Sequence, residues 1–230
     1  MMRKLLGVLA AVCWLVFGIT GVVRWVAGDG GLLAAEMLRT APPEKTGLPE
    51  KDYPGVGAMT AEYLTGKREA FQYTVAQETD GTSCARTEVF QEHEAAHMAD
   101  CRGLIRLDTA LCAGCGIAAL LLTAAGMIRR KGRREFLRGV LRGMIGTAGL
   151  AVILIIWALA DFNGLFVTFH KVAFRNDGWL LNPKTDLLIR LMPTAFFVRL
   201  GIRGLLRFAA VPAVMAAAVR IGLKKNHDEV

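Results

Sequence analysis

Four transmembrane helices beneath a small mixed α/β extracytoplasmic cap are what this sequence predicts, on three observations. The chain of 230 residues is 53% hydrophobic, above the ~45–50% of a typical soluble domain, and the excess falls in four blocks. Each block is long enough for a helix of about 20 residues to cross the hydrocarbon layer. Lys and Arg crowd at the ends of these blocks, as Arg3 with Lys4, the run Arg129 to Arg134, and Lys224 with Lys225. In a four-span chain those clusters share one side, which the positive-inside rule makes cytoplasmic. The net charge of +8 is therefore assigned to topology, and no nucleic-acid motif accompanies it.

Residues 1–28 read as transmembrane helix 1. The apolar run from Leu5 to Ala27 exceeds the ~7–15-residue core of a cleavable signal peptide, so an uncleaved span is expected. Val12 stands where a lipobox needs a small residue before Cys13, and the chain is not read as a lipoprotein itself. Residues 29–103 form the main part of the cap. Pro42, Pro43 and Pro49 break it early, and Ala58 to Leu64 reads as a short helix ended by Gly66. Phe71, Tyr73 and Val75 alternate with polar neighbours, which predicts a strand over 70–77, and Asp80-Gly81 predicts a turn. From Thr87 nothing breaks a helix until Gly103, so that helix should run on into transmembrane helix 2 at 104–128.

Residues 129–136 are the cytoplasmic basic loop and 137–160 transmembrane helix 3. Residues 161–195 return to the cap. Asn182 is a good N-cap with Pro183 at the favoured first position of a helix through Leu191, and Pro193 ends it. Transmembrane helix 4 covers 196–223, with Pro212 as a kink, and 224–230 is a cytoplasmic tail. Both termini are then cytoplasmic in a multi-pass cell-membrane protein. Arg199, Arg203 and Arg207 recur every four residues near the outer end of the fourth span. Two readings stand for this stripe: contact with lipid headgroups, or a face that binds an acyl carbonyl or phosphate.

Cys13, Cys112 and Cys115 lie in apolar blocks, where a thiol packs as a small residue. Cys112-Ala-Gly-Cys115 has redox-motif spacing, but Gly114 and Gly116 beside it favour close helix packing. Cys84 and Cys101 lie in the polar segment, where an oxidising compartment permits a disulfide if their Cα atoms approach.

Three function classes compete. His93-Glu94-Ala95-Ala96-His97 matches H-E-x-x-H, the pattern of a zinc-dependent membrane metalloprotease. Two imidazoles four apart on a helix can share a zinc, with Glu94 as general base and His170 or Asp177 as a third ligand. Its neighbours Gln91, Glu92 and Asp100 are polar, unlike the apolar setting of intramembrane zinc sites. A second class needs only His97 and His170, each lying just outside an apolar block. An imidazole of pKa about 6.5 suits proton transfer near neutral pH, and Asp100 shares a helical face with His97. The blander account has each histidine bonded to backbone at the interface. The third class is a non-enzymatic membrane adaptor, in which neither histidine matters.

The segment from Phe169 to Phe197 decides between them by resemblance. Phe169-His170, Phe174, Asn176, Trp179, Leu181, Asp186, Ile189, Pro193 and Phe196-Phe197 resemble the signature of the lipoprotein intramolecular transacylases, small bacterial four-span membrane proteins. Glu94, His97-Met98 and Asp100 resemble that family's E-x-x-H-M-x-D motif, and Tyr63-Leu64 before Gly66-Lys67 is a weaker match. His93 has no counterpart. Cys101 stands where an aliphatic residue is expected, and Ala173 where an aromatic is.

The resemblance implies four transmembrane helices under an extracellular cap, with His97 and His170 as catalytic residues at the junction. Asp100, Phe169, Phe174, Asn176, Trp179 and Asp186 are implied on the substrate. The substrates would be diacylated bacterial lipoproteins in membrane lipid, with no metal, cofactor or nucleic acid required. The reaction moves the sn-2 acyl chain of a diacylglyceryl-cysteine to that cysteine's α-amine, giving the lyso form. One histidine would take the amine proton and the other protonate the departing oxygen; the residues alone do not say which. Phe166, Phe169, Phe174 and Trp179 would keep water from the acyl group.

Overall fold

The computed structural model describes residues 1–79, 83–128 and 132–228, with side chains for all of these except 77–79, 83–86 and 225–228. The expected Asp80-Gly81 turn, residues 129–131 of the basic loop and the side chain of Cys84 lie outside them. The chain divides into two compact units, Met1–Val23 with Asp108–Asp161 and Gly204–Val230, and Arg24–Leu107 with Phe162–Arg203.

Four helical stretches are long and apolar enough to cross a membrane: Met2–Gly28, Glu92–Ile128, Arg133–Ala160 and Thr194–Lys224. The first three are single helices, α1 (Met2–Gly28), α5 (Glu92–Ile128) and α6 (Arg133–Ala160). The fourth is two helices, α9 (Thr194–Phe208) and α10 (Ala210–Asp228). Pro212 accounts for the break. It has no N–H to offer, and its ring would collide with the carbonyl four residues earlier in a continuous helix. That carbonyl belongs to Phe208, where α9 stops.

In the first unit Ala10 and Ala11 of α1, Phe136, Leu137 and Val140 of α6, and Val219 of α10 form the core. The residues at the α1–α6 contact are small because the backbones meet there. A Cβ at Gly7 would overlap the Phe136 carbonyl, and one at Gly139 would overlap that of Lys4. Small residues allow this approach between membrane helices. Trp14 donates to Thr123 Oγ1 at 3.0 Å, and Lys4 pairs with Glu135 at 3.0 Å. Cys112 and Cys115 carry free thiols, with Cys115 hydrogen-bonded to Cys13 and Gly116 against Phe17. Leu121, Ile153 and Leu159 stay exposed, an apolar surface suited to hydrocarbon.

The second unit is helical, with one small sheet in place of the expected mixed α/β layer. Its elements are α2 (Gly30–Thr40), α3 (Pro43–Thr46), a 3-10 turn at Glu50–Asp52, α4 (Tyr53–Leu64), β1 (Thr74–Thr79), β2 (Ser83–Glu88), α7 (Phe162–Ala173) and α8 (Leu187–Leu191). The two strands pair antiparallel from Thr74↔Glu88 to Thr79↔Ser83. The predicted strand opens late, at Thr74, and before it the pairing continues only as the Val89 N–H donating to the Tyr73 carbonyl at 3.0 Å. Phe71 and Val75 still point into the core, as their alternation requires. Helix α4 starts at Tyr53 rather than Ala58, with Pro54 in its first turn, a position where no N–H is needed. It crosses α2 closely, since a Cβ on Gly57 would overlap the Gly30 carbonyl.

The sequence expectation of one helix from Pro183 to Leu191 needs correction. Asn182 Oδ1 accepts from the Lys184 N–H at 3.0 Å, and the Thr185 and Asp186 N–H groups close on the Asn182 carbonyl. An Asx turn therefore occupies residues 182–186, and only Leu187–Leu191 is α-helical.

Candidate active site

The N-terminus of α5 sets the site. Glu94, third in the helix, reaches back so that its Oε2 accepts the Gln91 N–H at 2.8 Å, the carboxylate half of a capping box. Its Oε1 accepts the Leu188 N–H at 2.6 Å, in the first turn of α8. Glu94 is 0% exposed, and both its oxygens are committed to backbone. One turn on, His97 is buried and faces His170.

His170 sits in the last turn of α7, and its Nδ1 lies 2.8 Å from the Phe166 carbonyl. A carbonyl only accepts, so Nδ1 carries the proton and the neutral ring leaves Nε2 bare. The two imidazole centroids are 6.1 Å apart. Aromatic rings surround them. Phe166 lies 4.1 Å from His170, Trp179 5.1 Å, and Phe169 and Phe174 both 5.4 Å, while Phe174 is 5.2 Å from His97. Phe197 backs Phe166 at 5.0 Å.

The turn after α7 brings those rings in. Asn176 Nδ2 donates to Asp100 Oδ2 at 2.9 Å, while its Oδ1 accepts from the Gly178 N–H at 3.0 Å. One side chain thus ties residues 174–179 to α5 and shapes the turn that carries Trp179. Asp100, Asn176, Phe169, Phe174 and Trp179 all gather with the two histidines.

Asp186 does not join them. It is buried, and its oxygens accept from the Asn182 N–H at 2.8 Å, Thr185 Oγ1 at 2.6 Å and His93 Nε2 at 2.9 Å. Burial alone would raise this carboxyl, but the bonds from Thr185, His93 and Asn182 outweigh it and hold it at about 2. The same contact, ahead of burial, raises the His93 imidazole above its ordinary range. His93 therefore turns to Asp186 and His97 to His170, with Glu94 occupied between them. Among the described residues no three His, Cys, Asp or Glu side chains are grouped to hold a metal ion. The H-E-x-x-H spacing thus spans a capping-box glutamate and two histidines that face different partners.

Burial lowers the His97 imidazole from 6.5, His170 adds to the effect, and Asp100 works against it. Cys101 also belongs to the site. Its free thiol lies 3.6 Å from His97 Nε2, and burial, with Asp100 adding, pushes it from 9.0 to about 12. Its i, i+4 spacing from His97 was the available signal. The arginine stripe has a partner the sequence did not announce. Arg199 Nε and Arg203 Nη2 both bind Glu36 of α2, the latter at 2.6 Å, and Glu36 is 1% exposed.

Residues 8–197 match the family model described as lipoprotein intramolecular transacylase Lit. No curated protein matches the chain. Among solved structures, the membrane-integral lipoprotein intramolecular transacylase Lit from Bacillus cereus aligns with a TM-score of 0.76 at 18% identity, over 98% of each chain. A histidine-to-alanine variant of that protein aligns at 0.73 and 18% identity, over 98% of this chain and 96% of the other. A histidine-to-arginine variant aligns at 0.71 and 19% identity, over 100% and 95%. The family model covers the apolar blocks up to α9 and both histidine stretches, and the solved structures share the fold. The chain belongs to the lipoprotein intramolecular transacylases, membrane acyltransferases of lipoprotein processing.

Proposed function

We propose that this chain transfers the sn-2 acyl chain of a diacylglyceryl-cysteine lipoprotein to the α-amine of the same cysteine, using His97 and His170. The observation that carries this is the facing of the two imidazoles, 6.1 Å between centroids, within a wall of aromatic rings. The Lys and Arg clusters at Arg3, Lys4, Lys224 and Lys225 support cytoplasmic termini, which puts the histidines on the extracytoplasmic side.

His170 is the base. Phe166 holds its proton on Nδ1, so Nε2 accepts a proton from the amine as nitrogen attacks the ester carbonyl. An α-amine of pKa about 7.7–8.0 needs such a base near neutral pH. The new C–N bond puts negative charge on the carbonyl oxygen. When that intermediate collapses, the bond to the sn-2 oxygen breaks, and His170 returns the proton to that oxygen. Ester becomes amide and hydroxyl, with no other reactant. In place of a donor that must be charged, His97 is an uncharged one. Burial and the neighbouring His170 keep its ring neutral, suited to hydrogen-bond the oxygen that gains charge.

Both reacting groups sit on one molecule, and positioning can supply about 7–11 kcal/mol of the barrier. Phe169, Phe174 and Trp179 are assigned to the acyl and glyceryl groups. Asp100 and Asn176 hold the turn that places them. Asp186 is assigned to the fold, since its oxygens are already taken. The test is conversion of diacyl to lyso-form lipoprotein in membranes, read by mass spectrometry of lipopeptides. His97→Ala and His170→Ala should each abolish it and His93→Ala should not; full activity in either of the first two refutes the assignment.

A further inference from the structure

We propose that Cys101 is a positioning residue for His97: its thiol donates to Nε2 and so keeps the imidazole proton on Nδ1, the nitrogen offered to the substrate oxygen. The inference rests on the acyl-transfer reading above and adds to it the residue that orients one of the two rings.

The geometry starts on α5. Residues four apart stack on one helical face, and Cys101 Sγ lies 3.6 Å from His97 Nε2, within hydrogen-bond range for sulfur. Two arrangements fit that distance, S–H to nitrogen or N–H to sulfur. The thiol is free and half-buried, and its pKa of about 12 leaves the proton on sulfur at any physiological pH. A thiol sulfur is a weak acceptor, whereas the bare nitrogen of a neutral imidazole is a good one. S–H to Nε2 is therefore favoured, and a neutral ring with Nε2 occupied as acceptor carries its one proton on Nδ1.

A second, independent observation lies on the other nitrogen. His97 Nδ1 is buried and has no hydrogen-bond partner among the described residues. Buried polar groups are nearly always paired, and an exception calls for an explanation. A donor held ready for an incoming oxygen explains this one. The two rings are then set in opposite senses. His170 spends its Nδ1–H on Phe166 and offers a lone pair, whereas His97 spends its lone pair on Cys101 and offers an N–H. An aliphatic residue at 101, expected from the family resemblance, could not do this. Cys101 is not cast as a nucleophile, because thiolate is the reactive form and burial suppresses it here.

The experiment uses the full chain in lipid nanodiscs with 15N-labelled histidine, the His97 signals being identified by their loss in His97→Gln. Nitrogen chemical shifts report which ring atom is protonated, and a synthetic diacylglyceryl lipopeptide reports kcat and KM. In wild type and Cys101→Ser, His97 should be protonated on Nδ1. In Cys101→Ala the proton should redistribute toward Nε2. The kcat of Cys101→Ala should fall roughly tenfold at constant KM, less than the ~10²–10³-fold cost of losing a donor outright, and Cys101→Ser should recover most of it. Protonation of wild-type His97 on Nε2 overturns the proposal, as does a Cys101→Ala enzyme with wild-type kcat, or a hydroxylamine-labile acyl group on Cys101. Failure of the acyl-transfer reading is seen separately, as activity surviving in His170→Ala, whereas the tautomer in the resting protein is read without turnover.

Discussion

Glu94 offers the clearest separation of a structural carboxylate from a catalytic one. It is completely buried and accepts the backbone N–H groups of Gln91 and Leu188, so Glu94→Ala strands two donors at the joined ends of α5 and α8. Hydrogen bonds to a charged group contribute about 1.5–3 kcal/mol each, which puts the cost near ~3–6 kcal/mol for the pair. Glu94→Gln keeps the carbonyl oxygen for one N–H but turns an amide NH2 toward the other, and should lose about half as much. Thermal unfolding of detergent-solubilised protein, followed by tryptophan fluorescence, should show Glu94→Ala melting about 10 °C or more below wild type, with Glu94→Gln between. Lipopeptide conversion well below the melting point should survive in Glu94→Gln. A Glu94→Gln protein that melts like wild type yet converts nothing would sink the reasoning, because it would make Glu94 the general base that H-E-x-x-H spacing suggests.

Three further outcomes are expected. Asn176→Ala removes the 2.9 Å bond to Asp100 and loosens the turn bearing Trp179; kcat should fall several-fold, on the order of the ~0.5–1.5 kcal/mol of one hydrogen bond, and unchanged lipopeptide kinetics would contradict the role given to that bond. Gly139→Val places a side chain where α6 meets the Lys4 carbonyl, and overpacking should cost about 1–3 kcal/mol, read as a lower melting temperature in detergent. His93→Gln tests the sign of a titration. The folded imidazole is raised above its usual range by Asp186, so its charged contribution is full below pH about 6.5 and is lost as pH rises through the raised value. The melting-temperature gap between wild type and His93→Gln should be widest in acid and close in alkali; a gap that widens with rising pH contradicts the pairing.

What the sequence disclosed was local. The apolar stretches show themselves because length and hydropathy are properties of consecutive residues, and Pro212 marked the point behind which α9 breaks. Helix α7 was not foreseen. Phe162, Phe166, Phe169 and Ala173 repeat at helical spacing, but an aromatic run beside a span also reads as an interfacial belt. The strand prediction placed residues 70–73 in a ladder because alternation shows which side chains turn inward and nothing about where a partner ends. At the site, His97 and His170 stood out as two of only four histidines. Their meeting was invisible, because it joins stretches far apart in the chain, as the bond between Asp100 and Asn176, 76 residues apart, also does. Glu94 and Asp186 were read toward chemistry since a buried carboxylate and a reactive one look alike in one dimension; only the N–H groups of Gln91, Leu188 and Asn182 distinguish them. Cys101 registered as a departure from a pattern, and its approach to His97 one turn away was not legible from that departure alone.

The pairing of Arg199 and Arg203 with Glu36 bears on how the last membrane segment is assembled. Ionised guanidinium groups are costly within hydrocarbon, and the carboxylate that answers both lies 163 residues before Arg199. Two positive charges on α9 thus share one buried carboxylate from α2, so the charge balance of the last membrane segment is set by a residue near the start of the chain.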